Sequence, residues 1–549
     1  MKTFTRKDFL RFSGAGLGAV GLMALTGCSS SSSTSSSSES TETTTETTTE
    51  ETSSSSEEAE VVEEKEYIEF NIAVIKSANS ICDDFNEMPA FAAAEPATNV
   101  HINWTYVDEG NSDKITALLT ADLPDAFLYL LGQDNIASAY DSFVDISPYM
   151  TDEYVPNMLA SYEELGYDMN NQTWEDGSIR CLPTGCVTNI SNDAMGIMMI
   201  NTEWLDELGM DIPTTTDELY DVLCAFRDNE MGGSNTIPLA MCDSFWCGHV
   251  INLANAFGIA GNNNGDVYYY YQQKDGVVSP TLDTQGFHDF LEYTNKLVSE
   301  GLLDKESFTS TSAEYTTKIQ SGAVGAFMAY SPYAWFDDEE TISKHAVVPC
   351  IAADGYEFVK SGAQGRLIPK QAGFAITTAC SDIERLLDWW DYLSTGDMPY
   401  VMAYGEQGGF WDVDADGNHY QKAPDGLSDT FTVENYKYTY GLVDGSTLKE
   451  TLDIPEDEDS SGYYRIQMTE AVWDYLPTEI MPIHFVSEEK TSERTMIQTE
   501  LVTYVSAFIA NSAVSGIDDS SWDSFVAGLD TYQYYDWVQW WQDYLDGVF

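Results

Sequence analysis

The chain has 549 residues, more than one ordinary domain holds, and its length suits two lobes behind a tail. Ninety-one Asp and Glu stand against 24 Lys and Arg, a formal net charge of −67, so most of the surface repels nucleic acid and anionic headgroups, and a nucleic-acid partner is excluded. Neutral or cationic small molecules are the easier ligands, and an aromatic content of 13% leaves some flat apolar faces for them once the core is filled.

Residues 1–27 have the three parts of an export signal: a basic start (Lys2, Arg6, Lys7, Arg11), an apolar stretch over 12–25, and small residues before Cys28. The stretch is too short for a spanning helix. Its end, Leu25-Thr26-Gly27-Cys28, resembles the bacterial lipobox, which implies that Cys28 carries a diacylglyceryl group and opens the mature chain. An ordinary signal peptide with an incidental Cys is the alternative. Thr5-Arg6-Lys7-Asp8-Phe9-Leu10 is similar to the twin-arginine export motif with Lys for the second Arg, so the export route stays open. Residues 28–66, almost all Ser, Thr and Glu, cannot offset the entropy of ordering and read as a tether. The expected location is the extracellular face of the cell membrane, held by lipid.

The other eight Cys (82, 181, 186, 224, 242, 247, 350, 380) are spread through the folded part. Outside the cell they are open to disulfide pairing, and their apolar neighbours suit buried, reduced thiols equally well. His249 lies near Cys242 and Cys247, but the spacing matches no zinc pattern, and no metal is expected.

The body begins with an alternating strand over 67–74, a helix over 88–94, a strand over 100–107, a helix over 113–119 and a strand over 126–131. This order predicts a mostly parallel α/β sheet, with ligand loops just past the strands' carboxyl ends. A second run follows: a strand over 196–200, a short helix over 202–208 stopped by Gly209, and a longer helix whose start Thr214-Thr215-Thr216 caps. A hairpin over 266–278 turns at Lys274-Asp275-Gly276. Helices over 285–299 and 313–320, strands over 325–329 and 373–376, and a helix over 382–393 complete the regular part.

Several segments resemble, in order, the family 1 extracellular solute-binding proteins. They are KITALLTADLP at 114–124, Phe143-Val144-Asp145-Ile146-Ser147-Pro148, Gly177-Ser178-Ile179-Arg180-Cys181-Leu182-Pro183, and Trp204-Leu205-Asp206-Glu207-Leu208-Gly209 with Pro213-Thr214-Thr215. KIQSGAVGAF at 318–327 and Tyr404-Gly405-Glu406-Gln407-Gly408 complete the series. The resemblance, closest to the large Gram-positive lipoproteins, implies an α/β, two-lobed periplasmic-binding-protein fold of type II whose hinge crossovers let the lobes close on a ligand. On that pattern lobe 1 takes residues 67–197 and 373–411, and lobe 2 takes 201–370 and 412–549, with crossovers near 197–200, 372–374 and 410–412. The implied role is capture of a mono- or oligosaccharide and its delivery to the permease subunits of an ABC importer, by a monomer without a cofactor.

Sugar sites combine aromatic faces for C–H surfaces with amides or carboxylates for hydroxyls. Four clusters fit both the loop positions and the family's sugar-binding members: Tyr129 with Gln133, Asp134 and Asn135; Asp243, Phe245 and Trp246; Tyr330, Tyr333 and Trp335; and Tyr404 with Glu406. Core packing is the competing reading for each single aromatic, and the stronger one for Trp389, Trp390, Trp537, Trp540 and Trp541. Asp412-Val413-Asp414-Ala415-Asp416-Gly417 copies the opening of an EF-hand loop, but position twelve is Ala423, so a hairpin turn is expected and no calcium site. A secreted glycosidase would share the acids, aromatics and export signal, yet no G-x-S-x-G motif appears and no carboxylate pair stands out; the chain is read as a non-enzyme. A peptide or polyamine ligand is the nearer rival to a sugar.

Overall fold

The structure is a computed structural model and describes residues 65–549 apart from 186–192, 195, 262–268, 337, 365–369, 429, 444, 448–450, 457–459 and 483. The export signal, Cys28, most of the tether, Cys186 and the start of the expected hairpin lie outside the described residues.

β1 (Ile68–Lys76), β2 (Val100–Asp108) and β3 (Ala126–Leu128) pair in parallel, as the alternation of strands and helices predicts. The connecting helices are Pro89–Thr98, ended by left-handed Asn99, and Ser112–Thr120, capped by the Asn111 side chain on Lys114 N. β3 stops three residues before its expected end because Tyr129 takes φ 58° and turns the chain out of the sheet. β4 (Leu182–Thr184) is added at the edge.

The second sheet opens with β5 (Ile197–Asn201), fully buried, followed by helix Thr202–Leu208 with Gly209 as its left-handed end. Helix Thr216–Asp228 starts at a Thr215 cap, β6 (Ile237–Ala240) follows, and β7 (Tyr271–Lys274) pairs with β8 (Val277–Pro280). The turn residues Asp275 and Gly276 both have positive φ, the conformation whose twist matches a two-residue hairpin. Helix Gln285–Ser299 buries Phe287, Phe290, Leu291, Thr294 and Leu297 on one side, against the buried Leu501, Val505 and Ile509 of helix Glu488–Ser515. β9 (Val324–Ala329) and β10 (His345–Val347) complete this sheet in the order β10-β5-β9-β6.

β11 (Lys370–Ile376) returns to the first sheet, giving the order β2-β1-β3-β11-β4, with β11 antiparallel to both neighbours. Each sheet has its own apolar core. Phe374 stacks on Trp390 at 4.1 Å and 4° in the first, and Tyr271 stacks on Trp541 at 5.1 Å in the second. Each such ring contributes roughly 1.5 to 3 kcal/mol by leaving water. Trp389, Trp390, Trp537, Trp540 and Trp541 are all buried.

Phe410 to Asp412, the place of the third expected crossover, instead opens a hairpin of β12 (Trp411–Val413) and β13 (His419–Gln421). Asp414 Oδ1 accepts from the amides of Asp416 and Asn418, closing the acidic turn on itself. The hairpin packs on Tyr400, and Met402 and Leu442 belong to the first core. Only with Tyr464, Met468 and Val472 of the next segment does the chain join the core under β9.

Among the described residues seven cysteines are free thiols, and of these Cys82, Cys181, Cys242 and Cys247 are buried. Burial pushes the thiols of Cys181 and Cys247 well up, so they act as small apolar residues.

Candidate functional site: two sheet edges joined by the crossovers

Strand direction decides which edges meet. β6 and β9 are parallel, so the loops after Ala240 and Ala329 leave the second sheet at one edge. β5 runs antiparallel to β9 with Ile197 opposite Ala329, so the chain arriving from the first sheet enters at that same edge. In the first sheet, Leu182 of β4 and Leu128 of β3 both lie opposite Phe374 of β11, so β4 exits and β11 enters at the edge where β3 ends. The crossovers therefore join the ligand-loop edges of both sheets.

The first two crossing segments are held to one another and to the 475–477 segment. Ala194 bridges Gly362, Gln364 N donates to Pro477 O at 2.9 Å, and Lys360 N donates to Tyr475 O at 2.8 Å. Gly362 has φ 124°, and a Cβ there would lie 1.8 Å from Asp193 O, so no other residue fits. Gly196 has φ 51°, and its Cβ would lie 2.3 Å from Cys247 O, which brings the β5 entrance against the 242–247 loop. Lys360 is buried and its Nζ donates to Gly196 O; burial lowers its ammonium pKa to about 7. Cys247 feels both Lys360 and Arg465, which pull its thiol down against the larger upward effect of burial.

At the second-sheet edge, Phe245, Trp246, Tyr330 and Trp335 form one aromatic cluster. Trp246 lies 5.3 Å from Tyr330 at 34°, Phe245 lies 5.6 Å from Trp335, and Phe245 also packs on Tyr315 at 5.5 Å. Trp335 is buried among Phe327 and Tyr315, whereas Trp246 is 36% exposed and forms the outer layer. Tyr333, in the same turn, is only 7% exposed, its ring edge-on to Tyr464 at 5.8 Å. Asp243 Oδ1 accepts from Val250 N at 2.8 Å and so braces the loop.

At the first-sheet edge, Tyr129 is 5% exposed, packs in the first core, and donates its hydroxyl to Gly445 O at 2.5 Å. Gln133 opens helix Gln133–Ser138 and reaches His484 O at 3.4 Å, while Asn135 caps that helix by accepting from Gly132 N. Asp134 lines a groove of about 1460 Å³ shared with helices Glu488–Ser515 and Tyr534–Leu545. Tyr404 packs on Phe410 at 5.3 Å in a separate small core, with Glu406 exposed beside it; neither joins the Trp246 cluster.

No protein-family model matches the sequence. Among characterised proteins, the fructooligosaccharide ABC transporter substrate-binding protein FusA of Streptococcus pneumoniae is 25% identical over 517 residues, covering 88% of this chain and 91% of that protein. The polygalacturonan/rhamnogalacturonan-binding protein YtcQ of Bacillus subtilis is 25% identical over 349 residues, 61% of this chain and 64% of that protein. A solved ABC-transporter-associated solute-binding protein of Bifidobacterium longum infantis, described as HMO-binding, superposes with a TM-score of 0.74 at 20% identity, over 87% of this chain and 99% of that one. In sequence the chain is similar to ABC transporter substrate-binding proteins, and its fold is that of the solved solute-binding proteins.

As in a two-lobed solute-binding protein, each sheet forms the heart of one lobe. One residue at the aromatic edge was not legible as such in the sequence. Arg465, from helix Ser460–Glu470, sets its guanidinium 5.5 Å from the Tyr330 ring centre. Its helix is anchored by Met468, buried in the core under β9, and by Tyr464 against Tyr333. No strand end or motif marks it; a lone basic residue among aromatics in so acidic a chain was the available signal. Among the described residues no helix is long and apolar enough to cross a membrane.

Proposed function

We propose that this solute-binding protein is lipid-anchored through Cys28 on the outer face of the cell membrane, captures a mono- or oligosaccharide between its lobes, and hands it to the permease subunits of an ABC importer. The observation that carries the sugar reading is the Trp246 and Tyr330 pair: a partly exposed indole layered on a tyrosine where β6 and β9 end. Such a surface covers the C–H face of a pyranose or furanose ring. The likeness to FusA, a fructooligosaccharide-transporter substrate-binding protein, and to YtcQ, a polygalacturonan/rhamnogalacturonan-binding protein, supports the same class. We read the protein as a monomer, and as a binder rather than an enzyme because both relatives are named for binding.

The lobe boundaries we propose follow the cores. Lobe 1 comprises residues 65–185 and 370 to about 452, and lobe 2 comprises 197–360 and 460–549, with crossings near 193–196, near 360–364 and after 452; the 475–477 segment pairs with the second crossing, and Phe485 reaches into the first-sheet core. Tyr129 and the 133–135 segment stand at the lobe 1 edge, the Trp246 cluster at the lobe 2 edge.

Thermal unfolding of the mature protein against neutral and acidic oligosaccharides, peptides and polyamines tests the ligand class, since a ligand that binds only the folded state raises Tm by mass action. An increase with saccharides alone is expected; an increase with peptides or polyamines alone would replace the sugar reading. For the anchor, Cys28→Ala is expected to move the protein from the membrane fraction to the medium, and unchanged retention would remove lipidation from the account.

A further inference from the structure

We propose that the saccharide held at the Trp246 and Tyr330 platform is an acidic one, a uronate or a sulfate ester, whose anionic group pairs with Arg465. The inference rests on that platform being the sugar site. It runs against the net charge of the chain, which by itself favours neutral or cationic ligands, and the reason is range. At physiological ionic strength charges more than about 8 Å away are largely screened, so the group a ligand touches outweighs the distant carboxylates.

Basic side chains over aromatic rings recur in this chain, as at Arg180 on Tyr140 and Arg494 on Trp540; what sets Arg465 apart is that its ring packs against the exposed Trp246. Arg465 lies over Tyr330, and Tyr330 in turn is layered against the exposed Trp246. The placement is built rather than incidental, because Tyr464 and Met468 of the same helix are packed into the lobe 2 core. The Arg465 charge is felt locally: it draws the Tyr330 phenol down against the larger upward effect of burial. The loop's own acid, Asp243, is engaged with the Val250 amide.

A guanidinium presents five N–H donors in a planar fork, which leaves capacity for a ligand carboxylate or sulfate beside any protein partner and matches the two oxygens of either group. Stacking on Trp246 would fix the sugar ring, and the fork would select its charge.

The test is calorimetric titration of the mature protein with trigalacturonate, its fully methyl-esterified form, a sulfated galactose oligomer and a neutral fructooligosaccharide. Expected is binding of the uronate or the sulfate, with the methyl ester about tenfold weaker or more, and an affinity for the acid that falls between 50 mM and 500 mM salt. Which acidic ligand binds separates uronate from sulfate. Arg465→Gln should weaken the acidic ligand about tenfold and leave the ester unchanged, while Arg465→Lys retains part of the preference. Equal affinity for acid and ester, binding of the neutral sugar alone, or equal losses for both ligands in Arg465→Gln would overturn the charge assignment while leaving the sugar site standing. Acidic sugars bound with unchanged affinity by Trp246→Ala would overturn the site instead, and no binding of any saccharide would overturn both.

Discussion

The two sheet edges carry the same sequence signal and use it in opposite ways. Tyr129 and Trp246 each lie just past a buried strand, yet Tyr129 is packed in a core with its hydroxyl tied to Gly445 O, and Trp246 lies on the outside of a layered cluster. Tyr129 is also in the left-handed region at φ 58°, a strain that persists only where the surroundings fix it. The contrast shows that position after a strand nominates a residue for a ligand site, whereas burial decides between pinning a loop and offering a surface.

Single substitutions sharpen this contrast. The largest effect is expected for Tyr129→Ala, which empties a buried ring site and releases Gly445: a stability loss of about 3 to 5 kcal/mol by urea unfolding. A loss below about 1 kcal/mol would mean that Tyr129 is not the pin described. Trp246→Ala should behave in reverse. Ligand affinity should fall by about 1 to 3 kcal/mol in a titration, while stability changes by less than about 0.5 kcal/mol. Equal losses of stability in the two variants would erase the distinction between the edges.

The last effect is a pH dependence at the root of the second edge. Burial holds the Lys360 ammonium at about 7, below its ordinary 10.5, so between those values the unfolded chain carries the extra proton. Its contribution therefore makes stability rise with pH from about 7 towards 10.5, by at most about 1.4 kcal/mol per pH unit, and levels off below about 7. Unfolding curves of the wild type and Lys360→Met at pH 7, 8 and 9 isolate this slope. Parallel pH profiles would show that Lys360 is not the titrating group.

Much of this molecule is legible in its residues. Helix Gln285–Ser299 has the expected bounds, because Thr284 caps it and Phe287, Phe290, Leu291 and Leu297 recur at helical spacing. The Asp275-Gly276 turn, the Gly209 helix end and the parallel β1, β2 and β3 follow equally local rules. The apolar run through Leu130 and Leu131 predicts a strand to 131, yet it ends at Leu128, and only the hydrogen bond from the Tyr129 hydroxyl to Gly445, 316 residues away, reveals why the chain turns.

Neighbours a few residues apart suffice to set helix caps, turns, and strands buried enough to form cores. Phe245, Trp246, Tyr330 and Trp335 were also within the reach of the sequence, since each follows a short apolar strand. Only the folded chain settles which of these rings meet and that Arg465 arrives over Tyr330. The physical reason is that burial and cross-chain contact depend on how two sheets and their crossovers close on each other. Residues 135 positions apart, such as Tyr330 and Arg465, share no local pattern that could announce their contact.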